Sequence, residues 1–183
     1  MFEPSIYTLA SILVLTAIAA AWDFYTGEIP NRLVFIGALA SAALLVWSGT
    51  SGGLGITKLV LVMFAGAVLV TIVPALLYRA GGIGGGDLKL LAVVGAALGP
   101  FLGLEVELLA FCVAALYAPV RLIWDGKLVQ SAKTIAQLAI RPLLPKHKRP
   151  APIALEEMTA LRFGPAIFVG ALLTALHHIG SAR

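Results

Sequence analysis

Six apolar runs, each near the length that crosses a bilayer, leave this chain few ways to fold. They lie at about residues 5–22, 33–47, 59–78, 88–104, 108–124 and 163–179. A span takes roughly 17–25 residues. The second run therefore needs flanking residues to reach across. The fourth is interrupted by Gly99-Pro100. Pro100 lacks a backbone donor and is expected to kink that helix or end it early. With 60% hydrophobic residues, 12% charged and a mean hydropathy of +1.00, the solvent for most of this surface is lipid. The expected fold is an all-α integral membrane protein of six transmembrane helices, one polytopic domain over residues 1–183. The start, Met1-Phe2-Glu3-Pro4, has no basic region and no small-residue cleavage site, unlike a signal peptide. One cysteine, Cys112, excludes a disulfide framework and a CxxC zinc site; it is expected to be a small buried hydrophobe.

Charge orients the spans. Eleven of the thirteen lysines and arginines fall on one side of a six-span arrangement, and Lys58 and Arg183 on the other. The positive-inside rule makes the first side cytoplasmic and puts both termini outside. Glu105 and Glu107 then fall in an outer turn. The longest polar segment, about 125–161, is expected to be cytoplasmic. Leu128, Ala132, Ile135 and Ala139 recur there at helical spacing, as in an interfacial amphipathic helix. The tract from Lys146 to Arg149 suits anionic lipid headgroups. The basic balance reflects topology, and no nucleic-acid module is visible.

Chemistry concentrates in two places. The stretch Gly81-Gly82-Ile83-Gly84-Gly85-Gly86-Asp87-Leu88-Lys89 puts glycines and one acid between two apolar runs. Its bland reading is a flexible loop with Asp87 as the N-cap of the next helix. A second acid, Asp23, closes the first run, ahead of Glu28-Ile29-Pro30-Asn31. The orientation above places both acids at cytoplasmic helix ends. Ionisable groups near hydrocarbon are costly and mark functional candidates. Two carboxylates that share a site hold one proton between them, which supplies a general base and a general acid together. That pair can hydrolyse a peptide bond without metal or covalent nucleophile. The glycines would let an extended peptide approach the backbone.

Other features are weaker. Gly84-x-Gly86 lacks the third glycine of a dinucleotide fingerprint. His177-His178 reads as an interfacial pair rather than a metal site, and Glu28 as solvated. Lys89 serves either topology or catalysis.

Gly84-Gly85-Gly86-Asp87, a GxGD motif, and Asp23 with Ile29-Pro30-Asn31 downstream together resemble the type IV prepilin peptidases. The six short spans are similar to their CpaA/TadV-type branch, which processes Flp-type pilins. Arg162-Phe163-Gly164-Pro165 resembles the Gly-Pro start of that family's last helix. The resemblance implies a GxGD aspartic endopeptidase of the prokaryotic plasma membrane, with Asp23 and Asp87 as the catalytic pair. Gly84, Gly85, Gly86, Lys89, Pro30 and Asn31 would form the loop or contact substrate. It implies prepilin or pseudopilin substrates, cut on the cytoplasmic side after a short basic leader and before the mature hydrophobic helix, with membrane lipids as the other partner and no cofactor. The larger members also N-methylate through a domain with paired CxxC motifs; those motifs are absent here, so methylation is not expected. Intramembrane acids and a broken helix also fit a proton-coupled transporter, and a non-catalytic scaffold of a pilus or secretion assembly is a third reading.

Overall fold

A computed structural model describes residues 4–51, 53, 55–79, 82–124 and 162–181. The expected amphipathic helix and the basic tract of the 125–161 loop lie outside the described residues, as does Gly81. By contacts the chain forms one compact unit from residues 1–114 and 162–183 and a second from 115–161. The second is described only up to Trp124, where it continues a helix.

The described residues form five helices and no strand: α1 (Ile6–Thr26), α2 (Asn31–Ser51), α3 (Ile56–Arg79), α4 (Gly85–Trp124) and α5 (Gly164–Ser181). In α1 the Ser5 hydroxyl caps the start by accepting the Thr8 N–H at 3.3 Å. The helix ends at Gly27, whose φ of 77° lets its N–H reach the Asp23 carbonyl at 2.9 Å. Asp23 therefore sits in the last turn of α1, directly after the apolar run. Helix α2 starts directly after Pro30, whose carbonyl accepts the Leu33 N–H at 3.0 Å.

Four of these helices have the length and apolarity to cross a membrane: Ile6–Thr26, Asn31–Thr50, Ile56–Arg79 and Gly85–Val120. The apolar stretch Gly164–Gly180 is shorter. Counting apolar runs yields six, and the difference has two sources. The last helix is short, and the fourth and fifth runs share α4. That helix is broken at Gly99, with φ 77° and ψ 177°. Glycine takes this conformation without steric cost, and Pro100 has no N–H to forfeit there. The chain turns back at the break: a Cβ on Gly103 would stand 2.9 Å from the Gly95 Cα. In an unbroken helix those residues are about 12 Å apart. The turn thus falls at Gly99, ahead of the expected position at Glu105 and Glu107. Both acids belong to the second arm, residues 100–124. Glu107 is buried there, and Glu105 Oε1 lies 3.0 Å from His177 Nδ1 of α5.

Packing follows membrane rules. Lipid tails are as apolar as leucine, so helices associate through close backbone approach at small residues. Gly66 of α3 lies against the Gly95 carbonyl of α4, where a methyl group would collide. Gly170 of α5 packs on the second arm of α4, with Val106 and Ala110 in the way of any side chain. Leu90, Leu91, Val94, Val106 and Ile167 fill the interior, while Phe35, Phe64 and Phe101 face outward. Cys112 is also exposed, contrary to its expected burial. The second arm turns Ala110 and Ala114 inward, and Cys112 is half a turn away from both.

Candidate active site

The two acids come from separate helix ends and are both buried. Asp23 projects from the last turn of α1, and its Oδ2 accepts the Gly164 N–H at 3.0 Å. The first N–H groups of a helix have no partner within it. Asp23 satisfies one of them for α5, at the positive end of that helix dipole. The approach is tight: a Cβ on Gly164 would lie 2.9 Å from both the Cβ and Oδ2 of Asp23. Two residues earlier, Arg162 Nη1 donates to the Phe24 carbonyl at the end of α1. The guanidinium also lies 5.8 Å from the centroid of the Phe24 ring. Arg162 is within electrostatic reach of Asp23.

Asp87 lies in the first turn of α4. It is not the N-cap, as the bland reading of the glycine loop has it, but the third helical residue. Its Oδ2 reaches back to the Gly84 N–H at 3.2 Å, the reciprocal half of a capping box. Its Oδ1 is buried without a hydrogen-bond partner among the described residues. Asp23 and Asp87 are near enough to interact electrostatically.

The glycine loop docks on the turn after α1. A Cβ on Gly86 would lie 2.9 Å from that of Ile29, which is itself buried. Gly85 lies under the Tyr78 ring. Lys89 Nζ donates to Asn31 Oδ1 at 2.8 Å, tying the start of α4 to the start of α2. The two motifs thus meet at two points, Lys89 on Asn31 and Gly86 on Ile29. Lys89 bonds to Asn31 rather than to either acid. Glu28 is exposed, as expected. Among the described residues no group of three or more His, Cys, Asp or Glu could hold a metal ion.

Arg162 and Gly164 both touch the end of α1, a contact that the resemblance to a helix start does not convey. Their only signal was the Arg-Phe-Gly-Pro run. Residues 10–119, well over half of the chain, match the type IV leader peptidase family. That stretch contains Asp23 and the whole of Gly84 to Lys89, and stops before Arg162. No curated protein and no solved structure matches the chain.

Proposed function

The chain belongs to the type IV leader peptidase family, and on that premise we propose that Asp23 and Asp87 are the catalytic pair of a membrane aspartic endopeptidase. The observation that supports this reading is two buried carboxyls on different helices, within electrostatic reach of each other and each anchored through Oδ2 by one backbone N–H. Anchored that way, each acid keeps its other oxygen for chemistry. The two hold one proton and one water between them. The ionised acid takes a proton from the water as its oxygen attacks the scissile carbonyl, and the protonated acid gives its proton to the carbonyl oxygen. Collapse of the tetrahedral intermediate breaks the C–N bond. The amine leaves with the proton taken from water. One hydroxyl of the intermediate returns its proton to the second acid as the C=O re-forms, and the other hydroxyl stays on the leader's new carboxyl. Gly84, Gly85 and Gly86 form the loop that carries Asp87, with Gly86 packed on Ile29 and Gly85 under the Tyr78 ring.

The substrate class is a prepilin or pseudopilin, cut after its short basic leader. In this reading the two arms of α4 each cross the membrane and α5 makes the sixth crossing, as in the short CpaA/TadV-like branch. The site faces the cytoplasm of a prokaryotic cell and both termini face out, which the lysine and arginine distribution favours. Reporter fusions at Thr50 and after the last helix then report an exported location, and a cytoplasmic signal at either overturns this topology.

Co-expression with a candidate prepilin tests the activity. The shortened product appears with the unaltered protein and disappears with Asp23→Asn or Asp87→Asn. Full-length prepilin in every case leaves the transporter or scaffold reading instead.

A further inference from the structure

An open cleft of about 590 Å³ runs along the outside of the bundle between α2 and the first arm of α4. Val34, Phe35 and Ala38 line one wall and Ala92 and Val93 the other. One end is polar, formed by Asn31, Arg32 and Lys89, and among the described residues no acid lines the cleft. That polar end adjoins the site. Lys89 is two residues beyond Asp87, and Asn31, its hydrogen-bond partner, is two beyond the Ile29 that packs on Gly86.

We propose that this cleft receives the apolar helix of the substrate that follows the scissile bond. The inference rests on the peptidase reading above and adds where the mature part of the substrate lies. Three features favour this occupant. The walls are apolar and the helix is apolar, so a helix-in-groove contact loses no hydrogen bond. Small side chains, Ala38 and Ala92, stand on opposite walls, and close approach at small residues is how helices associate in lipid. Phe35 is 66% exposed on the lipid-facing surface, so a membrane-embedded helix enters sideways from the bilayer. Charge sets the direction. Arg32 and Lys89 repel a basic leader at the polar end, so the leader leaves the acid pair elsewhere and the uncharged mature stretch takes the cleft.

The test uses the full-length protein in lipid nanodiscs, carrying Asp87→Asn to hold the substrate uncut. A benzophenone amino acid replaces Phe35 in one variant and Phe64 in another; Phe64 lies on α3, is also exposed, and does not line the cleft. With an intact prepilin, the position 35 probe is expected to give about tenfold more substrate adduct than the position 64 probe. The adducts should map to the first turns after the scissile bond. Adducts on the leader, adducts on phospholipid despite excess substrate, or equal yields at both positions overturn the proposal. Filling the cleft with Ala38→Trp in the active protein is expected to raise KM for that prepilin about tenfold; an unchanged KM also overturns it. Parallel assays of the unaltered protein separate the two failures. Cleavage without position 35 adducts sinks the cleft alone, and position 35 adducts without cleavage sink the peptidase reading while the cleft stands.

Discussion

Gly164 donates its backbone N–H to Asp23 Oδ2 at 3.0 Å, joining the start of the last helix to the end of the first. The bond is buried, so its loss leaves a carboxylate oxygen unpaired in a poorly solvated place. The contact has no room for a side chain, because a methyl group would stand 2.9 Å from that same oxygen. Gly164→Ala is therefore expected to displace Asp23 and lower kcat for prepilin cleavage by about a hundredfold, the scale of losing a positioning contact of this kind. Insertion and helix content, measured by membrane fractionation and circular dichroism, should stay near normal. A kcat within twofold of the unaltered protein would show that Asp23 does not depend on this anchor.

Arg162 acts one step further out. It holds the chain before α5 against the end of α1 through the Phe24 carbonyl and ring. Its contribution to cleavage is predicted to run through Gly164 and Asp23. Arg162→Ala should lower kcat about tenfold with KM little changed, since it disturbs the acid and not the substrate path. Arg162→Lys keeps the charge but loses the planar fork that reaches a carbonyl while stacking on a ring. It should recover part of the rate. A rise in KM with kcat unchanged would place Arg162 against substrate instead.

Gly66 carries a stability prediction separate from the chemistry. It meets the Gly95 backbone across α3 and α4. Backbone atoms cannot swing aside as a flexible side chain does, so even one methyl group must push the helices apart. Gly66→Ala should cost about 1–3 kcal/mol, the usual range for overpacking. Thermal unfolding in detergent would report it as a clear drop in Tm. An unchanged Tm would mean that the two helices separate there without loss.

Much of this arrangement is legible locally. The apolar runs mark helices because bilayer thickness fixes their length, and Gly27 and Pro30 punctuate α1 and α2 by backbone chemistry that any reader of the sequence can apply. The clustering of the two motifs is also legible in part, because charge distribution assigns Asp23 and Asp87 to one side. Three things are not. The site of the α4 turn is ambiguous in sequence, since Gly99-Pro100 and the acids at 105 and 107 all signal an end of helix. The break falls where φ can be positive, and Glu107 goes inside. The exposure of Cys112 is hidden because in lipid an apolar residue gains nothing by facing inward, so composition does not tell the inner face from the outer. The anchor from Gly164 to Asp23 joins residues 141 apart in sequence, and no local pattern encodes a contact between residues that far apart.

The acid pair itself gives the sharpest test. If Asp23 and Asp87 share one proton and one water, neither works alone. Asparagine keeps the size of aspartate and its acceptor oxygen, so Asp23→Asn retains an acceptor for the Gly164 N–H and Asp87→Asn one for the Gly84 N–H. Neither amide exchanges a proton with water on the catalytic timescale. Each single change is therefore expected to lower kcat at least about a thousandfold while the protein still inserts, and the double change should be barely worse, because residues that act as one unit are not additive. Glu28→Gln, which removes an exposed charge close by in sequence, should keep most of the activity. The rate should also follow a bell-shaped pH profile. Below the lower apparent pKa both carboxyls are protonated and no base remains; above the higher one both are ionised and no acid remains. The two values belong to the pair rather than to either residue. In either single Asn variant any residual activity should lose one limb of the bell. Near-normal cleavage by either variant would end the aspartic peptidase mechanism for this protein.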